Sequence, residues 1–144
     1  MKIGIQAREI MNEDFPIVDS SLTLDKCVKS LGRNNEACIV VKQGYFHSIL
    51  GYDDLLRGFM ERKDNSAKIS DISIEENFRV VGPDKDIIEI IELMNSNNTE
   101  FIVVKDSKKI LGLITKKDII DIEPLLFDSI KLKSPEQQLI TLYH

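Results

Sequence analysis

The chain has 144 residues, 42% of them hydrophobic and 30% charged, and 24 acidic against 19 basic side chains give a formal net charge of −5 at pH 7. That length suits one compact domain or two intimate halves of about 60 to 65 residues each, with a globular rather than disordered composition. The acidic balance argues against general nucleic-acid affinity; no apolar run approaches the roughly 20 residues that span a bilayer, and the N-terminus lacks a signal-peptide core, so a cytoplasmic protein is expected.

From the N-terminus, Ala7–Met11 is a short apolar lead-in. A strand is expected at Ile17 and Val18. A helix follows, with Leu24, Cys27, Val28 and Leu31 at helical spacing. Cys38–Val41 reads as a strand, Gln43 and Gly44 as a turn, and Phe46–Leu50 as its partner strand, leading into a helix from about Asp53 to Arg62. The polar stretch Lys63–Lys68 reads as a linker.

The same order then returns. Ile69–Ser73 resembles the first lead-in, Phe78–Val81 is a strand, and Gly82, Pro83 and Asp84 form a turn with a helix start signal. Ile87, Ile90, Ile91 and Met94 recur at helical spacing, with Ile88 widening the stripe. Asn95–Thr99 ends that helix. Phe101–Val104 is a continuous run of β-formers, as in a strand covered on both sides. A turn at Asp106–Lys108 and a strand through Ile114 lead to a last helix that starts near Thr115 and stops before Pro124. Phe15–Val18 matches Phe78–Val81, and Asn34–Lys42 matches Asn97–Lys105, both at a separation of 63 residues. After those matches the separation grows by one, so that Ile49–Leu56 aligns with Leu113–Ile120 and Asp54 with Asp118. In the tail, Ser134, Pro135 and Gln137 precede Leu139, Ile140, Leu142 and Tyr143, the pattern of a short amphipathic helix that docks on its own domain or on a partner.

Cys27 and Cys38 lie in a helix pattern and a strand pattern without metal or redox spacing, which makes them core residues. His47 and His144 have no companions at metal spacing, and no nucleophile, base and acid come together in a catalytic pattern, so neither a metal site nor an enzyme is expected.

The order strand, helix, strand, strand, helix, given twice with AREIMN at the first lead-in, IVVK in both central strands and GLITKKDI at Gly112–Ile119, resembles a tandem pair of cystathionine-β-synthase-type (CBS) domains, a Bateman module. The resemblance implies an α+β fold of two β-α-β-β-α repeats packed with pseudo-two-fold symmetry. It places repeat one at 7–62, the linker at 63–68, repeat two at 69–122 and a helical extension at 123–144. It also implies two clefts that take adenosine compounds such as AMP, ADP, ATP, S-adenosylmethionine or NAD, a regulatory rather than catalytic role, and pairing into homodimers. A regulated partner protein is compatible with that role.

Within that resemblance, Thr115 and Asp118 stand where a strand becomes a helix. A hydroxyl there can join backbone N–H groups around a phosphate, and a carboxylate one turn in can accept from the hydroxyls of a ribose. The same spacing is that of a capping box, which satisfies only the helix's own donors. Lys116 and Lys117 oppose the helix dipole by about 0.3 to 1 kcal/mol each, a cost that a nearby anion would offset; plain surface exposure is the alternative. By resemblance, this main cleft also draws on Asn12, Ile17, Asn35, Glu36 and Ala37. The second cleft has Gly51 where the first has a hydroxyl, and Tyr52 and Asp53 where the first has two lysines. It keeps Asp54 and draws by resemblance on Ile74, Val80, Asn98, Thr99 and Glu100. An asymmetric module is expected, in which the Thr115/Asp118 side holds the nucleotide and the Asp54 side is weaker or empty. A protein-interaction module with degenerate clefts is the alternative.

Overall fold

Short β-branched runs alternating with helical stripes become, in the computed structural model of the chain, a mixed α+β architecture. Among the described residues, which are 2–33, 35–62, 66–96 and 99–122, there are two three-stranded sheets and five α-helices. The first elements are α1 (Ala7–Ile10), β1 (Ile17–Asp19), α2 (Leu24–Leu31), β2 (Ala37–Lys42), β3 (Tyr45–Gly51) and α3 (Tyr52–Arg62). A 3-10 turn (Ile69–Asp71) precedes β4 (Phe78–Val81), α4 (Ile87–Met94), β5 (Phe101–Asp106), β6 (Lys109–Thr115) and α5 (Lys116–Asp121). The predicted tail helix at 123–144 and Lys63–Asn65 of the linker lie outside the described residues.

Two compact units result. A central unit comprises Glu13–Phe78, and a split unit joins the residues before Glu13 to those from Arg79 onward. Each sequence repeat thus lends its lead-in element to the unit built from the other repeat: α1 belongs with β4–α5, and the 3-10 turn with β1–α3.

In the central unit the sheet order is β1-β2-β3, with β1 parallel and β3 antiparallel to β2. Leu24, Cys27 and Leu31 recur every three to four residues, so one face of α2 buries all three, and they meet Cys38, Val40 and Leu50 from the sheet. Each fully buried aliphatic side chain of this kind contributes about 1.5–3 kcal/mol. Val28, which spacing placed on the same stripe, is exposed instead. The β2–β3 turn is tight because Gln43 (φ 54°) and Gly44 (φ 81°) both take left-handed conformations, which a two-residue hairpin of the type matching strand twist demands. The 3-10 turn is tied in by backbone bonds from Ile69 N to Leu22 O and from Ser70 N to Ser20 O, both 2.9 Å. Cys27 and Cys38 are both fully buried, with their sulfurs 3.8 Å apart; the hydrogen bond with Cys27 and then burial push the Cys38 thiol well above the ordinary thiol range.

In the split unit the order is β4-β5-β6. The α4 stripe buries Ile87, Ile90 and Met94. Asp86 caps this helix by accepting from Ile88 N at 3.0 Å, and it also accepts from Gly4 N at 2.9 Å and Ile3 N at 3.1 Å. Burial alone would raise its pKa, but bonds from the backbone N–H groups of Gly4, Ile88 and Ile3 bring it below the ordinary carboxylate value. The N-terminal segment is joined further by Ala7 N to Lys85 O and Ile87 N to Ile5 O, both 2.8 Å.

Strand pairing places the one-residue growth in repeat separation earlier than the sequence match does. Ala37 pairs with Gly51, and Phe101 with Thr115; Cys38, Val40 and Leu50 line one core, and Ile102, Val104 and Ile114 line the other. The whole β2–β3 hairpin is therefore equivalent to β5–β6 at 64 residues, while the buried stripes of α2 and α4 remain 63 apart. The extra residue lies before the central strand, between the end of α4 and the start of β5 as against the end of α2 and the start of β2. Identical IVVK runs mislead here because slipping a strand by one residue exchanges its two faces, and an apolar run covered on both faces does not reveal which register is right.

Candidate functional site

In the split unit, β6 delivers Thr115 to the start of α5. Thr115 is extended (φ −108°, ψ 170°), which leaves the first helical donors without partners inside the helix. Asp118 answers one of them: its Oδ2 accepts from Thr115 N at 2.8 Å and from Thr115 Oγ1 at 3.1 Å, and Thr115 Oγ1 accepts from Asp118 N at 3.4 Å. The capping box is therefore formed. Among the described residues both bonds to the carboxylate fall on one oxygen, so Oδ1 of this half-buried group keeps its accepting capacity there. Lys116 and Lys117 are exposed and make no ion pair among the described residues.

Asn12 is brought close to this group by the chain before Glu13. Its N–H donates to Leu113 O at 2.9 Å, and its carbonyl accepts from Leu113 N at 3.0 Å, two residues short of Thr115 along β6. Thr99 is 1% exposed and its Oγ1 has no hydrogen-bond partner among the described residues, although such an orphan costs about 1–3 kcal/mol. Glu100 beside it is exposed and leads into β5, whose Phe101 pairs with Thr115. Val80 on β4 is 48% exposed, which sets it apart from plain core. Asn98 lies outside the described residues.

In the central unit the equivalent carboxylate is committed. Asp54 is 4% exposed; its Oδ2 accepts from Gly51 N at 3.0 Å, and its Oδ1 accepts from Arg57 Nη2 at 2.6 Å and Glu75 N at 3.3 Å. Arg57 also donates to Ser73 O at 3.2 Å. Both Asp54 oxygens are thus engaged, whereas Asp118 has one left over. Gly51 and Ala37 are paired across the sheet, and Ile74 packs against the core beside the segment that bonds Asp54. Asn35 Nδ2 donates to Leu31 O at 2.9 Å, closing α2, while Glu36 is exposed. Ile17 is 54% exposed on β1. Sequence reasoning missed Arg57 and Glu75. The i,i+3 spacing of Asp54 and Arg57 on a helix was a readable signal; nothing in the sequence pointed to Glu75. Among the described residues no three His, Cys, Asp or Glu side chains lie together as metal ligands, and no helix is long and apolar enough to cross a membrane.

The repeated β-α-β-β-α order, with the hydroxyl and carboxylate at the second strand-to-helix junction, defines a tandem CBS pair. The family described as the CBS domain matches residues 7–61 and again 69–124, and the chain belongs to it. A curated relative, an uncharacterized protein of Methanocaldococcus jannaschii, MJ0450, is 31% identical over 80 residues, which is 54% of this chain and 42% of that protein. The chain thus spans less than half the length of that relative. Solved structures agree in fold. A putative acetoin utilization protein, AcuB, from Vibrio cholerae superimposes with a TM-score of 0.74 at 16% identity, covering 91% of this chain and 98% of that one. An uncharacterized conserved protein from Pyrococcus horikoshii gives 0.73 at 14%, covering 85% and 95%. The CBS domain pair of protein MJ0100, in complex with 5′-methylthioadenosine and S-adenosyl-L-methionine, gives 0.71 at 18%, covering 83% and 96%.

Proposed function

We propose that this chain is a cytoplasmic, non-catalytic regulatory module that binds an adenosine-containing ligand through Thr115 and Asp118 and passes its occupancy to a homodimer or a partner protein. The observation that carries the reading is the contrast between the two equivalent carboxylates. Asp118 has an oxygen without a bond among the described residues, suited to a ribose hydroxyl, whereas both oxygens of the buried Asp54 are bonded. Lys116 and Lys117 supply positive charge unmatched by acidic partners, which favours a phosphorylated ligand of the AMP, ADP or ATP class. S-Adenosylmethionine and NAD share the adenosine part, and the MJ0100 domain pair, which binds S-adenosylmethionine, lends support to that wider class. On the central unit, exposed Ile17 and the backbone of Asn35–Ala37 are further candidates, and on the split unit exposed Val80 and the backbone of Thr99–Glu100. Gly51 and the engaged Asp54 make the second set of residues the weaker one. They also favour, on that side, the alternative of an interaction surface without a nucleotide.

Calorimetric titration of the nucleotide-free protein with AMP, ADP, ATP, S-adenosylmethionine and NAD tests the proposal, with Asp118→Asn as the variant because it keeps the shape of the cap. Saturable binding to one of the five, weakened about tenfold or more by Asp118→Asn, is expected. A folded protein that binds none of them would leave the interaction module as the better reading.

A further inference from the structure

We propose that the central unit holds a second binding site, in a cavity beneath the β2–β3 hairpin, for a small zwitterion with an apolar body, of the class of an apolar α-amino acid. The cavity measures about 300 Å³. That lies at the lower end of the roughly 300–1,000 Å³ range of small-molecule pockets, ample for a molecule of about ten non-hydrogen atoms.

The hairpins of the two units differ at this point. In the split unit the Cγ and Sδ atoms of Met11 lie 2.6 Å from where a Cβ on Gly112 would stand, and Leu111 packs on the same core. The central-unit counterparts of Gly112 and Leu111 are Ser48 and His47. A glycine and a leucine are exchanged for two polar side chains, Ser48 and His47, and both line the cavity.

The lining is chemically divided. Val40, Ile69 and Ile72 form an apolar floor, and buried Ser48, its Oγ 3.1 Å from His47 Nδ1, offers a hydroxyl beside it. The hairpin contributes Lys42 and His47, while the strap that follows the 3-10 turn contributes Glu75 and Glu76. Glu75 is directed toward Arg57 at 3.8 Å, but Lys42 and Glu76 make no ion pair among the described residues. An unmatched cation and an unmatched anion over one apolar floor favour a ligand that carries both charges, and each disfavours a ligand that carries only the like charge. The ligand's carboxylate is assigned to Lys42, its ammonium to Glu76 and its side chain to the isoleucines. The acidic strap also disfavours phosphates, which separates this site from Thr115–Asp118.

The test is an NMR titration of the ¹⁵N-labelled full chain with L-leucine, L-isoleucine, L-valine and L-methionine, alongside 4-methylpentanoate and 3-methylbutylamine, each of which carries one charge. At least one amino acid is expected to give saturable shifts at the amides of Lys42, His47, Ser48 and Glu76 with a Kd of about 1 mM or below, and both single-charge compounds about tenfold weaker responses. Lys42→Glu and Glu76→Lys, both surface changes whose folding the same spectra report, are each expected to weaken binding about tenfold. Absence of saturable shifts with all four amino acids up to about 10 mM overturns the proposal. So do equal responses to the single-charge compounds, shifts confined to Thr115–Asp118, or unchanged binding by both variants.

Discussion

Replacing Asp54 by alanine should destabilise the chain considerably more than the same replacement at Asp118, although the two residues are equivalent in the repeats. Asp54 is 4% exposed and accepts from two backbone N–H groups and from Arg57 at 2.6 Å. Loss of the cap costs about 1 kcal/mol, and loss of hydrogen bonds to a charged acceptor about 1.5–3 kcal/mol. Breaking a fully buried ion pair would cost about 3–5 kcal/mol, but the Arg57 side chain is 32% exposed and can turn to water, so the lower part of these ranges applies. The sum is about 3 kcal/mol. At Asp118 one oxygen of a half-buried group carries the capping box, and about 1 kcal/mol is at stake. For a chain of this size 1 kcal/mol corresponds to about 2–4 °C in Tm. Asp54→Ala should therefore lower Tm by about 6–12 °C and Asp118→Ala by about 2–4 °C. Thermal unfolding followed by circular dichroism, with urea midpoints as a second measure, decides the matter. If Asp118→Ala costs as much as Asp54→Ala, the division of labour drawn from the hydrogen bonds is wrong.

Gly112→Ala places a Cβ 2.6 to 2.7 Å from three atoms of Met11 and should cost about 1–3 kcal/mol by overpacking; in urea denaturation the double variant with Met11→Ala should cost less than the sum of the two single changes. Cys27 and Cys38, buried and with the Cys38 thiol pushed up, should resist iodoacetamide at pH 8 in the native chain and react at both positions in urea, as read by mass spectrometry; rapid native labelling would contradict the burial. Asp86 has a folded pKa below its ordinary value of 3.8. Its stabilising contribution is therefore fully present well above that value and disappears as pH falls through the folded pKa. The Tm gap between the natural chain and Asp86→Asn should be open at neutral pH and narrow below about pH 4, and a gap that widens on acidification would refute the assignment.

Helix stripes and their burial were legible because their period is strong: Leu24, Cys27 and Leu31, and Ile87, Ile90 and Met94, are the residues that the cores contain. The repeat itself was equally plain. The register between repeats was not, because IVVK can be slid by one residue without exposing a charge, and only the pairing of Ala37 with Gly51 and Phe101 with Thr115 fixes it. At the candidate site, Thr115 and Asp118 were readable as a spacing, and so was the capping box that forms there. The commitment of Asp54 was only half readable. Arg57 lies one helical turn away in sequence, but Glu75 reaches Asp54 through a loop that no local pattern specifies. The cavity under the hairpin was illegible because its lining comes from β2, β3, the 3-10 turn and the strap after it, segments that no local pattern brings together.

The exchange of lead-in elements imposes an order of events on synthesis. The central unit is one continuous stretch, so everything it needs has left the ribosome once Phe78 has emerged. The split unit cannot close until much later: Ala7 must wait for Lys85, and Asn12 for Leu113. Closing a loop of that length costs about 4 kcal/mol of chain entropy, and the central unit, folding first, shortens the effective path between its ends. The residues before Glu13 are thus made ahead of the central unit and used after it.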